Sequence, residues 1–173
     1  PSSVEGQQDL LAFEDLRVEY EHTRAAAVLG YLDRVIPAFL VDRRQHLHGA
    51  DLIEQRLRAD GGHAIKAVCV VHNETSTGVT SDIVAVRRAI DAAGHPALLL
   101  VDSISGLACA DYRHDEWGVD VTISGSQKGL MLPPGISFNA LSPKALEASK
   151  HAKLPRSFWA WDEIVEMNKG GYW

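Results

Sequence analysis

Four short apolar runs fix the class of fold. They are KAVCVVH (66–72), ALLLVD (97–102), DVTIS (120–124) and ISFNAL (136–141). A strand with one wet face alternates apolar and polar residues. These runs barely alternate, so they predict strands covered on both faces. Between the first two, Ser81 or Asp82 caps a helix that runs to about Ala93 and ends at Gly94. Strand, helix, strand is the βαβ unit of a parallel sheet. Another helix starts at Ser142-Pro143, an N-cap followed by proline at the first helical position. Asp51 to Ala59 reads as a short amphipathic helix with Leu52, Ile53 and Leu57 on one side. The predicted architecture is α/β, a three-layer αβα arrangement around a mostly parallel sheet.

Residues 1–49 have a different rhythm. Leu10, Phe13, Arg17 and Tyr20 follow a helical step, as do Val28, Leu32, Val35, Ile36 and Phe39. Gly30 and Pro37 interrupt the pattern, and no strand stands out. Residues 151–173 are rich in tryptophan and charge. The chain opens with Pro1 rather than Met, which suggests missing sequence or processing.

Composition narrows the function. The chain has 173 residues, 46% of them hydrophobic and 23% charged, the profile of a soluble globular domain. A formal net charge of −6 gives no basic footprint for nucleic acid. No apolar run is long enough to span a membrane, and the first residues lack the basic region of a secretory signal. Cys69 and Cys109 sit in apolar stretches without a CxxC pair, which predicts buried thiols in a reducing cytoplasm. His46 and His48 have no carboxylate or thiol nearby at metal spacing, so no metal site is expected.

In a parallel sheet, ligands gather at the C-terminal ends of the strands. The first run is followed by Asn73 to Gly78, with Thr75, Ser76 and Thr77. The second ends in Asp102 and continues through Ile104. The third leads into the small-residue loop SGSQKGL, with Gln127 and Lys128. Hydroxyls, an acid and a lysine are thus expected at one sheet edge. A lysine on a turn is ordinarily a surface charge. Held beside apolar walls, it can lose its proton and attack a carbonyl, giving a Schiff base. Asp102 can simply cap a turn, or it can pair with a cationic ring nitrogen, as pyridoxal phosphate requires. The hydroxyls can form a turn, or bind a ring hydroxyl or phosphate.

The motifs VVHNETSTGV (70–79), LLLVDSISGLA (98–108) and DVTISGSQKGLMLPPG (120–135) resemble the class V aminotransferases of the pyridoxal-phosphate fold-type I superfamily. The serine–glyoxylate and alanine–glyoxylate branch is the most similar. ACADYRHDEWGVD (108–120) and SFWAWDEIVEMNKGGYW (157–173) lean towards the serine–glyoxylate enzymes. The resemblance covers about residues 50–173. It implies part of the large cofactor-binding domain, with residues 1–49 as a non-matching helical segment and the C-terminal small domain absent.

It also implies roles. Lys128 forms the internal aldimine with pyridoxal 5'-phosphate, and Asp102 pairs with the pyridinium nitrogen. Thr75 bonds the ring hydroxyl, Gln127 contacts the phosphate, and Ile104 packs under the ring. The implied substrates are an amino acid, serine or alanine, and a 2-oxo acid such as glyoxylate. The implied whole protein is a cytoplasmic homodimer.

The family's phosphate loop and ring-stacking aromatic are not recognisable in residues 1–49. Nothing maps Arg113 or Arg156 to the carboxylate-binding arginine, so both read as surface or salt-bridge residues. The chain is therefore expected to be a piece of a longer protein and, alone, inactive. Two other readings remain at this point: a non-catalytic remnant, and another reaction on the same fold such as cysteine desulfuration. The second lacks a cysteine in a loop after Lys128.

Overall fold

A computed structural model describes residues 49–153 and 160–171. The helical expectation for residues 1–49 falls outside them, apart from Gly49, and so does Arg156. The elements in order are α1 (Gly49–Ala59), β1 (Ala67–Val71), β2 (Asn73–Glu74), β3 (Val79–Thr80), α2 (Ile83–Ala92), β4 (Leu98–Asp102), β5 (Val121–Gly125), β6 (Ser137–Leu141), α3 (Pro143–Lys150) and α4 (Trp161–Lys169).

The main sheet has the order β1-β4-β5-β6. β1, β4 and β5 run parallel, and β6 is antiparallel to β5. Side chains alternate across a strand, and the sheet splits its apolar residues accordingly. Val68 and Val70 of β1 and Leu99 and Val101 of β4 meet Ile53 and Leu57 of α1 and Val86 and Ile90 of α2. On the other face, Ala67, Cys69, Leu98, Leu100, Val121 and Ile123 meet Ala145 of α3, with Trp161 of α4 packed alongside. Each large aliphatic side chain buried this way stabilises the fold by about 1.5–3 kcal/mol. Both faces of β1 and β4 are covered, which is why their sequences do not alternate.

β5 does alternate. Val121 and Ile123 face the apolar layer, while Thr122 and Ser124 are buried polar residues. The Thr122 hydroxyl lies 2.6 Å from the Tyr112 hydroxyl and 2.7 Å from His114 Nδ1, so the 108–118 segment is tied to this strand.

Local chemistry sets the helix starts. The Asp82 carboxylate accepts the Ala85 N–H at 2.9 Å, and the Ser142 hydroxyl accepts the Ala145 N–H at 3.1 Å. Three expectations need correction. Leu52 is 50% exposed, because it lies off the side of α1 that buries Gly49, Ile53 and Leu57. β6 is not covered on both faces: as the outer strand of the described sheet it is exposed along most of its length. Cys69 is buried, but Cys109 is exposed on the turn after β4. The β2–β3 hairpin and α4 were not anticipated from the sequence.

Candidate functional site

The site forms where β1, β4 and β5 end together. Val71, Asp102 and Ile123 lie side by side in register. Beyond this row the chain leaves each strand in a tight loop. The first is the 73–80 hairpin, paired Asn73 with Thr80 and Glu74 with Val79, which carries Thr75 at its exposed tip. The second is the turn after Asp102, which carries half-buried Ile104. The third is the loop after Gly125, which carries exposed Gln127 and Lys128. Asp102 thus ends its strand at the sheet edge from which the loops carrying the other four candidate residues leave.

The loops are tied to one another. The His72 N–H donates to the Asp102 carbonyl at 2.8 Å, and the Ser105 hydroxyl donates to the Asn73 carbonyl. The Ser103 N–H donates to the Ile123 carbonyl at 2.8 Å. Gly129 presses on the turn after β4: a Cβ there would lie 2.1 Å from the Leu107 carbonyl oxygen and 2.8 Å from Cys109 Sγ. Only glycine lets the backbone approach this closely. Ser126, fully buried, anchors the Lys128 loop. Its hydroxyl donates to the Pro133 carbonyl at 2.6 Å and accepts the Ile136 N–H at 3.3 Å.

Asp102 is the electrostatic focus. Its Oδ1 accepts the Ile104 N–H at 2.9 Å. Among the described residues no donor reaches Oδ2. Burial pushes this carboxyl above its usual range, the Ile104 N–H works against that shift, and the Glu74 carboxylate adds to it. A partly dry carboxylate with an open oxygen and a second acid nearby suits a cationic N–H donor. On that ground Asp102 fits the pyridinium nitrogen of pyridoxal phosphate.

Gln127 folds its amide back over Gly125, where a Cβ would stand 2.8 Å from Oε1. Lys128 is exposed, and its expected apolar walls face solvent too: Met131 is 90% exposed and Leu132 is exposed as well. The apolar walls expected beside Lys128 are therefore not supplied by its own loop. Arg113 is held by Asp111 at 3.0 Å and Glu116 at 2.8 Å on the surface, as a salt-bridge residue would be.

Sequence reasoning overlooked Ser126, Glu74 and the buried ring of His72. Ser126 left a trace in the small-residue run SGSQKG. The others depend on contacts made across the fold.

The family model for class-V aminotransferases matches residues 36–156. An L-aspartate–glyoxylate aminotransferase of Paracoccus denitrificans (strain Pd 1222) is 59% identical over 121 residues, covering 70% of this chain and 30% of that protein. A serine–glyoxylate aminotransferase of Arabidopsis thaliana is 52% identical over 128 residues, covering 72% of this chain and 32% of that protein. Among solved structures, an aspartate aminotransferase of subgroup IV from Thermus thermophilus superposes with a TM-score of 0.57 at 35% identity, covering 68% of this chain and 32% of that one. The chain thus spans about a third of the length of these relatives.

Proposed function

The chain belongs to the class V aminotransferase family, whose members are pyridoxal-phosphate enzymes, and we propose that it is the cofactor-binding core of an aminotransferase that moves an amino group from an amino acid to glyoxylate. The observation that carries this reading is the half-satisfied Asp102 carboxylate, set in the row where three strands end beside the Lys128 loop. Both relatives described above are named as glyoxylate aminotransferases, which supports glyoxylate as acceptor. Serine and alanine were the donors expected from the motifs. The Paracoccus relative adds aspartate.

When bound, pyridoxal phosphate supplies an electron sink for the bond broken at the substrate Cα. Asp102 holds a proton on the ring nitrogen, and the dry surroundings strengthen that pairing. Thr75 hydrogen-bonds the ring hydroxyl, Gln127 contacts the phosphate, and Ile104 fills the space under the ring. The Lys128 amine would hold the cofactor covalently and would move a proton at the substrate Cα.

We further assign residues 50–173 to the large domain, and the whole protein to a cytoplasmic homodimer. The free thiols of Cys69 and Cys109 suit a reducing compartment. No described helix is long and apolar enough to cross a membrane.

The test is to incubate the full-length protein with pyridoxal phosphate and glyoxylate, then assay serine, alanine and aspartate in turn. Glycine should form with at least one donor. No glycine with any donor, from protein that holds the cofactor, contradicts the reading.

A further inference from the structure

His72 is 1% exposed and stands where the 73–80 hairpin meets the turn after β4. Its backbone joins two of the elements around it: the N–H donates to the Asp102 carbonyl at 2.8 Å, and the carbonyl accepts the Ser81 N–H at 2.8 Å. Its ring has Tyr112 at 5.0 Å and Trp117 at 6.0 Å between centroids. It also abuts Gly106 so closely that a Cβ there would lie 2.2 Å from Nδ1 and 3.0 Å from Cε1. Among the described residues Nδ1 has no hydrogen-bond partner. A buried, unpaired ring nitrogen costs stability, so the position is not explained by local polar bonding. What the ring does is fill space between an aromatic pair and a glycine.

That glycine lies in the turn that matters. Gly106 and Leu107 donate their N–H groups to the Ser103 carbonyl, and Cys109 and Ala110 donate theirs to the Gly106 carbonyl. The same turn presents Ile104, whose N–H holds Asp102 Oδ1, and the Leu107 carbonyl on which Gly129 rests. Tyr112, behind the ring, is fixed by Thr122 of β5 at 2.6 Å. The ring is therefore wedged between an anchored aromatic and the turn that carries the floor of the site.

We propose that His72 is a positioning residue. Its ring sets the 103–110 turn, and through that turn it places both the Asp102 carboxylate and the seat of the Lys128 loop. The role is that of a spacer and not of an acid or base, and it rests on the cofactor reading of this site. Burial lowers the affinity of His72 for a proton, against a smaller opposing pull from Asp111, which agrees with a neutral ring.

The experiment compares His72→Ala, His72→Phe and the wild-type full-length chain by amide exchange and by pyridoxal-phosphate titration. In His72→Ala, the amides of Gly106, Leu107 and Cys109 should exchange about tenfold faster or more, and cofactor affinity should fall about tenfold, the scale of one lost positioning interaction. The pH midpoint of the visible band of the lysine-linked cofactor should also move, which a general loss of stability would not cause. His72→Phe keeps a ring and should stay close to wild type in all three.

Gly106→Ala pushes on the same contact from the other side and should loosen the same amides, so it serves if His72→Ala does not fold. Unchanged protection and affinity in His72→Ala or Gly106→Ala overturn the proposal. So does a His72→Phe protein as loose as His72→Ala. A wild-type protein that never binds the cofactor defeats the site reading instead, and amide exchange then decides the role of His72 alone.

Discussion

Asp102 and Asp120 flank the parallel strands at opposite ends, Asp120 buried and Asp102 half-buried. Asp120 precedes β5 and is fully engaged: Oδ2 accepts the Leu99 N–H at 2.9 Å, and Oδ1 accepts the Ser142 hydroxyl at 2.8 Å. Arg87 and Lys144 stand 3.6 and 3.7 Å away. Asp102 ends β4 and has one bond, from Ile104. Burial therefore does not mark the site. Incomplete satisfaction at the C-terminal edge does, because a carboxylate kept partly dry and partly unpaired is poised for an incoming partner.

The largest expected effect lies on the loop that leaves β5. Lys128→Ala should remove transamination by about 10²–10⁴-fold or more, the range of a lost proton-transfer group. Steady-state glycine formation checks this, and retained turnover would break the contrast at once. Asp102→Asn should come next. It should cost about 10²–10³ in kcat, as for other lost electrostatic partners, while the protein stays folded.

Asp120→Ala should do the reverse. It leaves the Leu99 N–H and two nearby cations without their acceptor, and should destabilise the fold by about 3 kcal/mol, as urea unfolding will show. Folded protein should keep most of its kcat. If the two aspartates exchange these phenotypes, the assignment of ends is wrong.

The strands and caps were legible because local chemistry decides them. The runs at 66–72 and 97–102 are apolar at consecutive positions since both faces are covered, and Asp82 and Ser142-Pro143 announce their helices. β6 was misread because ISFNAL resembles the inner strands in composition, and only the order of strands reveals that it lies at the outer side of the described sheet. Asp102 could be singled out by its place after a run, but the residue type says nothing about which carboxylate is satisfied. That depends on Leu99 and Ser142 for Asp120, both distant in sequence. His72 escaped notice for the same reason: its partners Gly106, Tyr112 and Trp117 are brought to it by the fold.

The smallest effect is a pH dependence. The carboxyl of Asp102 is raised in the folded protein, mainly by burial. The native state therefore binds protons more tightly at this group than the unfolded chain does. Stability contributed by this group falls as pH rises from about 3.9, the ordinary value, through the raised native value. In cofactor-free protein, Asp102→Asn should thus stabilise at about pH 7, with the gain fading below about pH 4. Denaturation of both proteins across that window measures it. A loss of stability at neutral pH would place Asp102 with Asp120 as a structural residue.

The central claim is that three strand-end loops make one cofactor site with Lys128 as its covalent anchor. Borohydride reduction of the protein after incubation with pyridoxal phosphate, followed by peptide mass spectrometry, tests it most directly. The account predicts a single dominant modification, on the peptide that contains Lys128, and its loss in Lys128→Ala. Label concentrated on another lysine such as Lys66 or Lys144, or spread evenly among the lysines, would contradict it.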